Sequence, residues 1–548
     1  MGKYIADLKR EFQGYTGKKF SKDIIAGITV AAVALPLALA FGIASGAGAS
    51  AGLVAGIIGG LIAALLSGAS YQLSGPTGTM TAILAITVAK HSLQGMFTAC
   101  FIAGVIILLC GVLELGRIVN FIPLPVITGF TSGIALIIAF GQIDSFFGTT
   151  SAGNGIIQKV ISYFENGFHI NLTSMLVGLF VIALMIVFPK KWNNVVPASL
   201  LGTIIATIAV ALLKLDIPTV GELPKTIILE NRFDITSINL NDIGALLSPA
   251  LSIALLCIIE SLFCASCAAR MKKETYETNR ELISQGVANM ALPFFGGIPV
   301  SAVMARTTVG IKAGSATRLT GVVHSLVLLF CVLVISPVFK YLPLSALAGV
   351  LLATAYRMND WESIKTYFKR RMKGPIATFL VTMLATIVFD LTIAILLGIA
   401  VALFVFMLNV SSLEISQSKI EKHRLNAKAH DCDIEEKFKD AVVVYITGPM
   451  FFLNAQKFTN ELEKIQGYNM VILSIRGVPM IDVSGLTALS DYYGNCIAKR
   501  IRLIICGTQD SVMYRLKAYG LYDIIGKENF YPSVDKVLTC EDFNLTNR

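Results

Sequence analysis

The sequence predicts a polytopic α-helical membrane protein that ends in a small cytoplasmic α/β domain. Three observations support this fold class. The 548 residues have a mean hydropathy of +0.72 and only 15% charged residues, whereas soluble domains carry about 25%. Apolar stretches recur from about residue 22 to residue 412, and a membrane-spanning helix needs about 20 residues. After about residue 415 the pattern becomes that of a soluble domain. We therefore expect about fourteen spans before that point.

Charge placement predicts the orientation of these spans. Lysine and arginine cluster in the N-terminal segment 1–20, at Lys190-Lys191, Arg270–Lys273 and Lys312–Arg318, and around Lys369–Lys373. Counting spans places all these clusters on one side, which the positive-inside rule makes cytoplasmic. An even number of spans then puts both termini in the cytoplasm. Topology thus accounts for the net charge of +10, and we expect no nucleic-acid partner.

Two similar segments recur in the same order in each half of the chain. "SGPTGTMT" at 74–81 resembles "GGIPVSAV" at 296–303, and "IPLPVITG" at 122–129 resembles "LPLSALAG" at 342–349. Matches at nearly the same spacing indicate internal repeats. We place the repeats at about 21–215 and 245–412 within a transmembrane domain of residues 21–412. Seven spans in each repeat, an odd number, would make the second repeat inverted in the membrane.

The Gly- and Pro-containing segments predict broken helices. Neither "LSGPTG" nor "GGIPVSA" can continue as a helix, because Gly is permissive and Pro lacks an N–H donor. Unpaired backbone at membrane depth is tolerated beside a cavity, and broken helices at matching repeat positions mark the substrate site of secondary transporters. Two half-helix N-termini would face each other there with free N–H groups and positive dipole ends, which predicts an anion site.

Two intramembrane charges bear on this site. A charged side chain at the bilayer centre costs about 2.5 kcal/mol or more and usually faces a cavity or a partner. We expect Arg306, one to two helical turns beyond the second break, to add positive charge to the site formed by Thr77, Gly78, Ser301 and Ala302. Arg306 could instead pair with Glu260 in a buried bridge, and the two interpretations overlap. A carboxylate placed like Glu260 could carry a proton or bind a cation that moves with the anion.

The C-terminal part alternates strands and helices. A charged linker is expected at 413–440 and a domain at 441–540, with strands "AVVVYITG", "MVILSIRG" and "RLIICG". Such alternation predicts a mostly parallel sheet. Ser484 is placed to cap the helix that opens at "DVSGL". A regulatory and a dimerising role both stay open.

These motifs together resemble one family. "SGPTG", "IPLPVITGFTSGIALIIAFGQ", "IIESL" and "GGIPVSAVMARTTVGIKAGSATRLTG", followed by "IDVSGL" in the C-terminal domain, resemble the SulP anion transporters (sulfate permeases) with their STAS domain. The resemblance implies core and gate domains, elevator-like movement, a homodimer and a multi-pass location in the bacterial inner (plasma) membrane. It also leaves room for a cytoplasmic partner at the STAS domain. Val483 occupies the phosphorylated serine position of anti-sigma antagonists, so a structural or docking role is expected.

The resemblance also carries over a site at the N-termini of the third and tenth spans, with Phe41 on its apolar wall. The residues at the family's substrate positions are Thr77, Gly78, Thr79, Ser301, Ala302, Val303 and Arg306. Other segments, "VALPLALAFGIASGAG" and "TNRELISQGVANM", are most similar to the sodium-dependent bicarbonate transporters of the family. Those have aspartate and threonine where this chain has Glu260 and Cys264, and a thiol is a poor ligand for a hard cation. Coupling to Na⁺ or to H⁺ therefore stays open.

The expected function is secondary active transport of sulfate or bicarbonate, coupled to H⁺ or Na⁺. A C4-dicarboxylate symporter is one alternative, and a passive anion channel or a sensor linked to the STAS domain is another. No nucleophile, base and oxyanion donors come together in the sequence, so we do not expect an enzyme. No cofactor is expected beyond the coupling ion.

Overall fold

The computed structural model describes residues 2–116, 123–151, 156–165, 168–189, 197–234, 236, 243–389, 391–420 and 438–538. The basic pair Lys190-Lys191 and residues 421–437 of the predicted linker lie outside these ranges. The chain divides into two compact units, Met1–Ala402 and Leu403–Arg548.

The first unit is helical. Its first half contains α1 (Gly2–Glu11), α2 (Gly17–Ala44), α3 (Ala49–Leu66), α4 (Gly78–Val112), α5 (Leu124–Phe147), α6 (Ile156–Glu165), α7 (Leu172–Val187) and α8 (Ala198–Leu213). Its second half contains α9 (Ile243–Lys272), α10 (Thr278–Ala291), α11 (Met304–Ala313), α12 (Leu319–Phe339), α13 (Leu344–Met358), α14 (Trp361–Lys369) and α15 (Lys373–Val388); α16 (Leu391–Val410) follows and runs into the second unit. Two short strands, β1 (Ser74–Gly75) and β2 (Ser301–Ala302), precede α4 and α11.

The predicted number of spans is confirmed. Seven of the helices are long and apolar enough to cross a membrane: α2, α3, α4, α5, α9, α12 and α16. Four shorter helices, α7, α8, α13 and α15, are also apolar. Helix α4 changes direction at His91 and Ser92, where Ser92 has a φ of 63°, so it supplies a half-helix and then a full span. With α10 and the half-helix α11, each half contributes seven segments, and the second repeat is inverted.

The repeats align differently from the sequence comparison in one respect. Helices α5 and α13 begin directly after Pro123 and Pro343, as the matched segments "IPLPVITG" and "LPLSALAG" predict. At the breaks, however, Ser74–Gly75 pairs with Ser301–Ala302, so "SGPTGTMT" corresponds to a segment several residues later than "GGIPVSAV". The sequence alignment was displaced there because the proline follows the strand in the first break and precedes it in the second.

The N-terminal segment, expected only as a cytoplasmic stretch, contains a docked helix. Asp7 of α1 forms an ion pair with Arg280 at 2.9 Å, and Glu11 forms one with Arg318 at 2.8 Å. Asp7 and Glu11 are four residues apart and thus lie on one face of α1. This face joins α1 to the starts of α10 and α12.

The second unit is built on a five-stranded sheet in the order β3–β4–β5–β6–β7. Its strands are β3 (Glu414–Lys419), β4 (Ala441–Thr447), β5 (Met470–Gly477), β6 (Arg502–Cys506) and β7 (Phe530–Tyr531). Strands β4 to β7 are parallel, as predicted. Its helices are α17 (Phe452–Glu463), α18 (Val483–Ala498), α19 (Asp510–Ala518), α20 (Leu521–Ile525) and α21 (Val534–Leu538). Strand β3 is antiparallel to β4 and falls in the segment assigned to the linker, which is a correction to that boundary.

The prediction that Ser484 caps a helix is wrong. Helix α18 begins at Val483, so Ser484 lies inside its first turn, and Asp482 is the N-cap. The Asp482 carboxylate accepts hydrogen bonds from the backbone N–H of Gly485 at 2.9 Å and of Phe452 at 3.1 Å. One carboxylate therefore fixes the starts of both α17 and α18.

We expect Asp482→Ala to lower the free energy of unfolding of the second unit by about 1–2 kcal/mol, the usual loss for an N-cap carboxylate. The matched change Ser484→Ala should stay within about 0.5 kcal/mol. Hydrogen exchange of the β4, β5 and β6 amides in the intact chain measures both values. Equal losses in the two variants would contradict the assignment of Asp482 as the cap.

Candidate functional site

The two breaks meet inside the first unit. Strands β1 and β2 pair antiparallel, with Ser74 opposite Ala302 and Gly75 opposite Ser301. Within three residues of each strand a helix begins, α4 at Gly78 and α11 at Met304. The breaks thus bring two half-helix N-termini to one place, as the sequence predicted.

Both N-termini offer backbone donors. The N-cap Thr77 has an extended backbone, and its hydroxyl accepts from Met80 N at 3.4 Å. The N-cap Val303 has no side-chain bond to its helix. The other first-turn N–H groups have no acceptor within their own helix, and the macrodipole places a partial positive charge at each start. Helix N-termini of this kind attract anions.

Arg306 lies in the first turn of α11, closer to the break than the one to two turns expected. Its side chain is 1% exposed. Its Nη2 donates to the carbonyl oxygen of Pro76 in the opposite break at 3.0 Å. Its Nε and Nη1 are buried, and neither has a hydrogen-bond partner among the described residues. The guanidinium also contacts Gly75, where an added Cβ would overlap Nη1. One arginine therefore joins the two breaks and keeps two donor nitrogens available.

Glu260 of α9 lies at the same junction, but not in an ion pair with Arg306. Its Oε2 accepts from the Ser301 hydroxyl at 2.5 Å, and the hydroxyls of Thr77 and Thr79 lie near its carboxylate. Those two hydroxyls are 2.8 Å apart. Among the described residues the ion pairs involve other side chains, so the alternative of a buried Arg306–Glu260 bridge is not what the structure contains.

Cys264, the other candidate for a coupling site, faces a different group. Its Sγ donates to the Thr307 hydroxyl at 3.5 Å, and that hydroxyl accepts from Leu73 N at 3.1 Å. Cys264 lies one helical turn after Glu260 and is linked through Thr307 to Leu73, the residue before β1. The structure does not bring Cys264 into the hydroxyl cluster around the Glu260 carboxylate.

Phe41, predicted to form an apolar wall, packs beside the start of α4. Its side chain is 5% exposed, and a Cβ added at Gly78 would come 2.9 Å from its ring and 2.8 Å from Ile138 Cδ1. Because Gly78 has no side chain, the Phe41 ring and the Ile138 side chain of α5 can pack directly against the N-terminus of α4. Access differs between the two helices, because Thr77, Gly78 and Thr79 are buried while Ala305 at the start of α11 is exposed.

Polar residues that the sequence reasoning missed hold the two strands. Asn289 of α10 accepts from Val300 N at 2.8 Å and donates to Val300 O at 2.9 Å. Gln285 donates to Ser74 Oγ at 2.7 Å and to Glu281 Oε1 at 2.9 Å. Ser261 accepts from Ala302 N at 3.1 Å. The signal was present in "TNRELISQGVANM", where Glu281, Gln285 and Asn289 recur every four residues and so share one helix face.

The chain is similar to known proteins in both of its parts. The profile of the sulfate permease family matches residues 20–385, and that of the STAS domain matches residues 434–537. The protein YvdB of Bacillus subtilis, whose name gives sulfate as a provisional substrate, is 33% identical over 541 residues, which cover 96% of this chain and 98% of YvdB. The bicarbonate transporter BicA of Synechocystis sp. is 29% identical over 94% of this chain and 93% of its own length.

Solved structures are similar as well. The transmembrane domain of a cyanobacterium bicarbonate transporter BicA aligns with a TM-score of 0.63 and 29% identity, covering 71% of this chain and 98% of that chain. Murine Slc26a9 in its inward-facing state aligns with a TM-score of 0.80 over 94% of this chain and 90% of that chain. Its 18% identity makes this second likeness one of fold alone. The chain belongs to the sulfate permease family and carries a STAS domain.

Proposed function

We propose that this member of the sulfate permease family is a secondary active transporter of a small inorganic oxyanion, sulfate or bicarbonate, across the plasma membrane. The observation that carries the proposal is the buried guanidinium of Arg306, which keeps Nε and Nη1 without a partner between two positive helix ends. A buried donor without a partner costs about 1–3 kcal/mol or more. An anion with several acceptor oxygens would satisfy both nitrogens at once.

The donors around Arg306 define how the anion would bind. The first-turn N–H groups of α4 and α11 point toward the junction, and Arg306 adds a planar fork suited to an oxyanion. Phe41 shields one side from water, while the exposed Ala305 leaves the α11 side accessible. Backbone donors recognise any compact oxyanion, so this set accommodates both sulfate and bicarbonate.

Glu260 is the proposed site of coupling to H⁺ or Na⁺. Its carboxylate accepts a hydrogen bond from Ser301 in one break and lies near the hydroxyls of Thr77 and Thr79 in the other. Binding a proton or a cation there would change the charge and the hydrogen bonding of both breaks that hold the anion. Carboxylate and hydroxyl oxygens suit a hard cation. The Cys264 thiol is bonded to Thr307, so it is not among the ligands that we propose for a sodium ion at Glu260.

The pairing of the breaks supports elevator-like movement. Strands β1 and β2 bond to each other and to α9 and α10 through Ser261, Gln285 and Asn289. The anion site, its arginine and Glu260 are thus held within one hydrogen-bonded body. Such a body would carry the site as a unit against the other helices of the first unit.

Uptake into proteoliposomes tests the function directly. Labelled bicarbonate and, separately, labelled sulfate are offered with and without an inward sodium gradient at fixed pH, and again with an inward proton gradient. Saturable uptake that an imposed ion gradient drives supports secondary active transport and identifies the coupling ion. Flux that does not saturate and ignores both gradients would contradict it and indicate a passive channel.

Glu260→Gln should separate coupling from anion binding. Glutamine retains the shape of the side chain and can still accept from Ser301, but it cannot be charged. We expect anion uptake in this variant to lose its dependence on the driving ion gradient, while exchange of anion across the membrane persists. The matched control is Glu114→Gln, because Glu114 is exposed at the end of α4. Gradient-driven uptake at the wild-type rate in Glu260→Gln would contradict the proposed role.

A further inference from the structure

A cavity of about 330 Å³ lies away from the anion site, in the first unit between α5, α13 and α15, with α14 at one end. Ala135, Ala139 and Ala355 are among its lining residues, and their small side chains leave the space open. The volume falls within the range of about 300–1,000 Å³ that small-molecule sites occupy. A lumen of this size beside a bilayer can hold a large part of an acyl chain.

One polar group on the wall has no partner. Ser132 lines the cavity and is 5% exposed, and its hydroxyl forms no hydrogen bond within the part of the chain that the structure describes. The neighbouring Thr128 and Thr131 donate instead to carbonyls of the preceding turn of α5. A buried hydroxyl without a partner is costly, so a bound molecule with an acceptor oxygen suits this wall better than a purely apolar one.

The mouth of the cavity is aromatic, and a basic segment follows it along the chain. Trp361 and Tyr356 both line it; their ring centroids are 5.1 Å apart, and Trp361 Nε1 donates to Tyr356 O at 2.9 Å. Aromatic residues of this kind are enriched at membrane interfaces. The cations of α14 and the residues after it are exposed and form no ion pair within the described residues: Lys365, Lys369, Arg370, Arg371 and Lys373.

We propose that this cavity and the basic segment bind one anionic glycerophospholipid. The phosphate lies on the cations of residues 365–373, and an acyl chain extends past Trp361 into the space between α5 and α13. A cation near an anionic membrane surface contributes about 1 kcal/mol, so five of them favour an anionic over a zwitterionic headgroup. A second copy of this chain fits less well, because it would bring the same five cations against each other.

The bound lipid also reaches the helix that borders the anion site. Ser132, Ala135 and Ala139 face the cavity from α5, and Ile138 of the same helix lies beside Gly78 at the start of α4. Filling the cavity would fix α5 and, with it, the wall over the α4 N-terminus. Lipid composition should therefore affect transport as well as binding.

Tryptophan fluorescence tests the site without depending on transport. The chain has two tryptophans, Trp192 and Trp361, so Trp192→Phe leaves Trp361 as the single probe at the cavity mouth. Purified full-length protein is reconstituted into phosphatidylcholine vesicles containing brominated phosphatidylglycerol or, at equal mole fraction, brominated phosphatidylcholine. We expect phosphatidylglycerol to quench Trp361 at much lower mole fraction. Lys369→Gln with Arg370→Gln should reduce that preference about 5-fold for each cation removed.

The control pair Lys499→Gln with Lys527→Gln removes two exposed cations of the second unit and should leave the preference unchanged. Equal quenching by the two lipids, or an equal loss in the control pair, would overturn the proposal. Absence of quenching by either lipid would show that protein covers the cavity, and would overturn it too. Leu136→Cys adds a thiol on the cavity wall, and its rapid modification by a membrane-impermeant thiosulfonate would show a water-filled vestibule instead.

Discussion

Arg306→Gln is expected to lower the efficiency of anion uptake at least about 100-fold. The change removes the permanent charge and the Nε and Nη1 donors that have no protein partner. Hydrogen bonds to a charged group contribute about 1.5–3 kcal/mol each, and about 1.4 kcal/mol corresponds to a factor of ten. Two such bonds therefore account for a loss of this size. Initial uptake rates over a range of anion concentrations measure it.

Two further variants make the result specific. Arg306→Lys keeps the charge but not the planar fork, so it cannot bond Pro76 O and present two parallel donors together; we expect an intermediate loss. Arg270→Gln removes an exposed guanidinium that donates to Ser266 Oγ and should transport normally. Wild-type uptake in Arg306→Gln, at wild-type thermal stability, would show that the anion binds elsewhere.

Much of the fold could be predicted from residues with strong local preferences. Gly and Pro at the two breaks and the Pro residues before α5 and α13 indicate where helices start, because Gly weakens a helix interior and Pro lacks the N–H donor that it needs. The register of the breaks could not be predicted in this way. It depends on the pairing of Ser74–Gly75 with Ser301–Ala302, a contact between distant segments that leaves no local pattern. The docking of α1 through Asp7 and Glu11 is likewise a tertiary contact.

The candidate site was predictable in composition but not in its connections. Arg306 was noticeable as one charge in an uncharged stretch, and Thr77, Gly78 and Ser301 followed from the breaks. The partner of Arg306 is a backbone carbonyl, Pro76 O, and backbone partners have no side-chain signature in a sequence. Glu260 and Cys264 are spaced by one helical turn, yet they bond to different elements because Thr307 takes the thiol. The role of Gln285 was missed because its segment, "TNRELISQGVANM", was used only for its resemblance to the bicarbonate transporters.

Gly75→Ala is expected to reduce uptake nearly as much as the loss of Arg306, although it changes no polar side chain. A Cβ at this position would overlap Nη1 of Arg306, which is the free end of a flexible side chain. Fold stability should therefore change little, because the guanidinium moves before the backbone does. Displacing it breaks the bond to Pro76 O and takes both available donors out of the site. Uptake kinetics and thermal unfolding of the same preparation measure the two effects separately.

Alanine substitutions at two other glycines serve as comparisons for the loss of uptake in Gly75→Ala. Gly78→Ala places a methyl group 2.8 Å from Ile138 Cδ1 and 2.9 Å from the Phe41 ring, so it should disturb the wall and cause a smaller loss. Gly141→Ala, where no atom lies within 4 Å of the added Cβ, should transport normally.

The decisive variant combines Gly75→Ala with Arg306→Gln. If the methyl group acts by displacing the guanidinium, the second change adds no further loss, since there is no guanidinium left to displace. If the losses of uptake in the two single variants add up in the double variant, Gly75 acts through the β1–β2 backbone instead. The contact with Arg306 would then not be the reason that this position requires glycine.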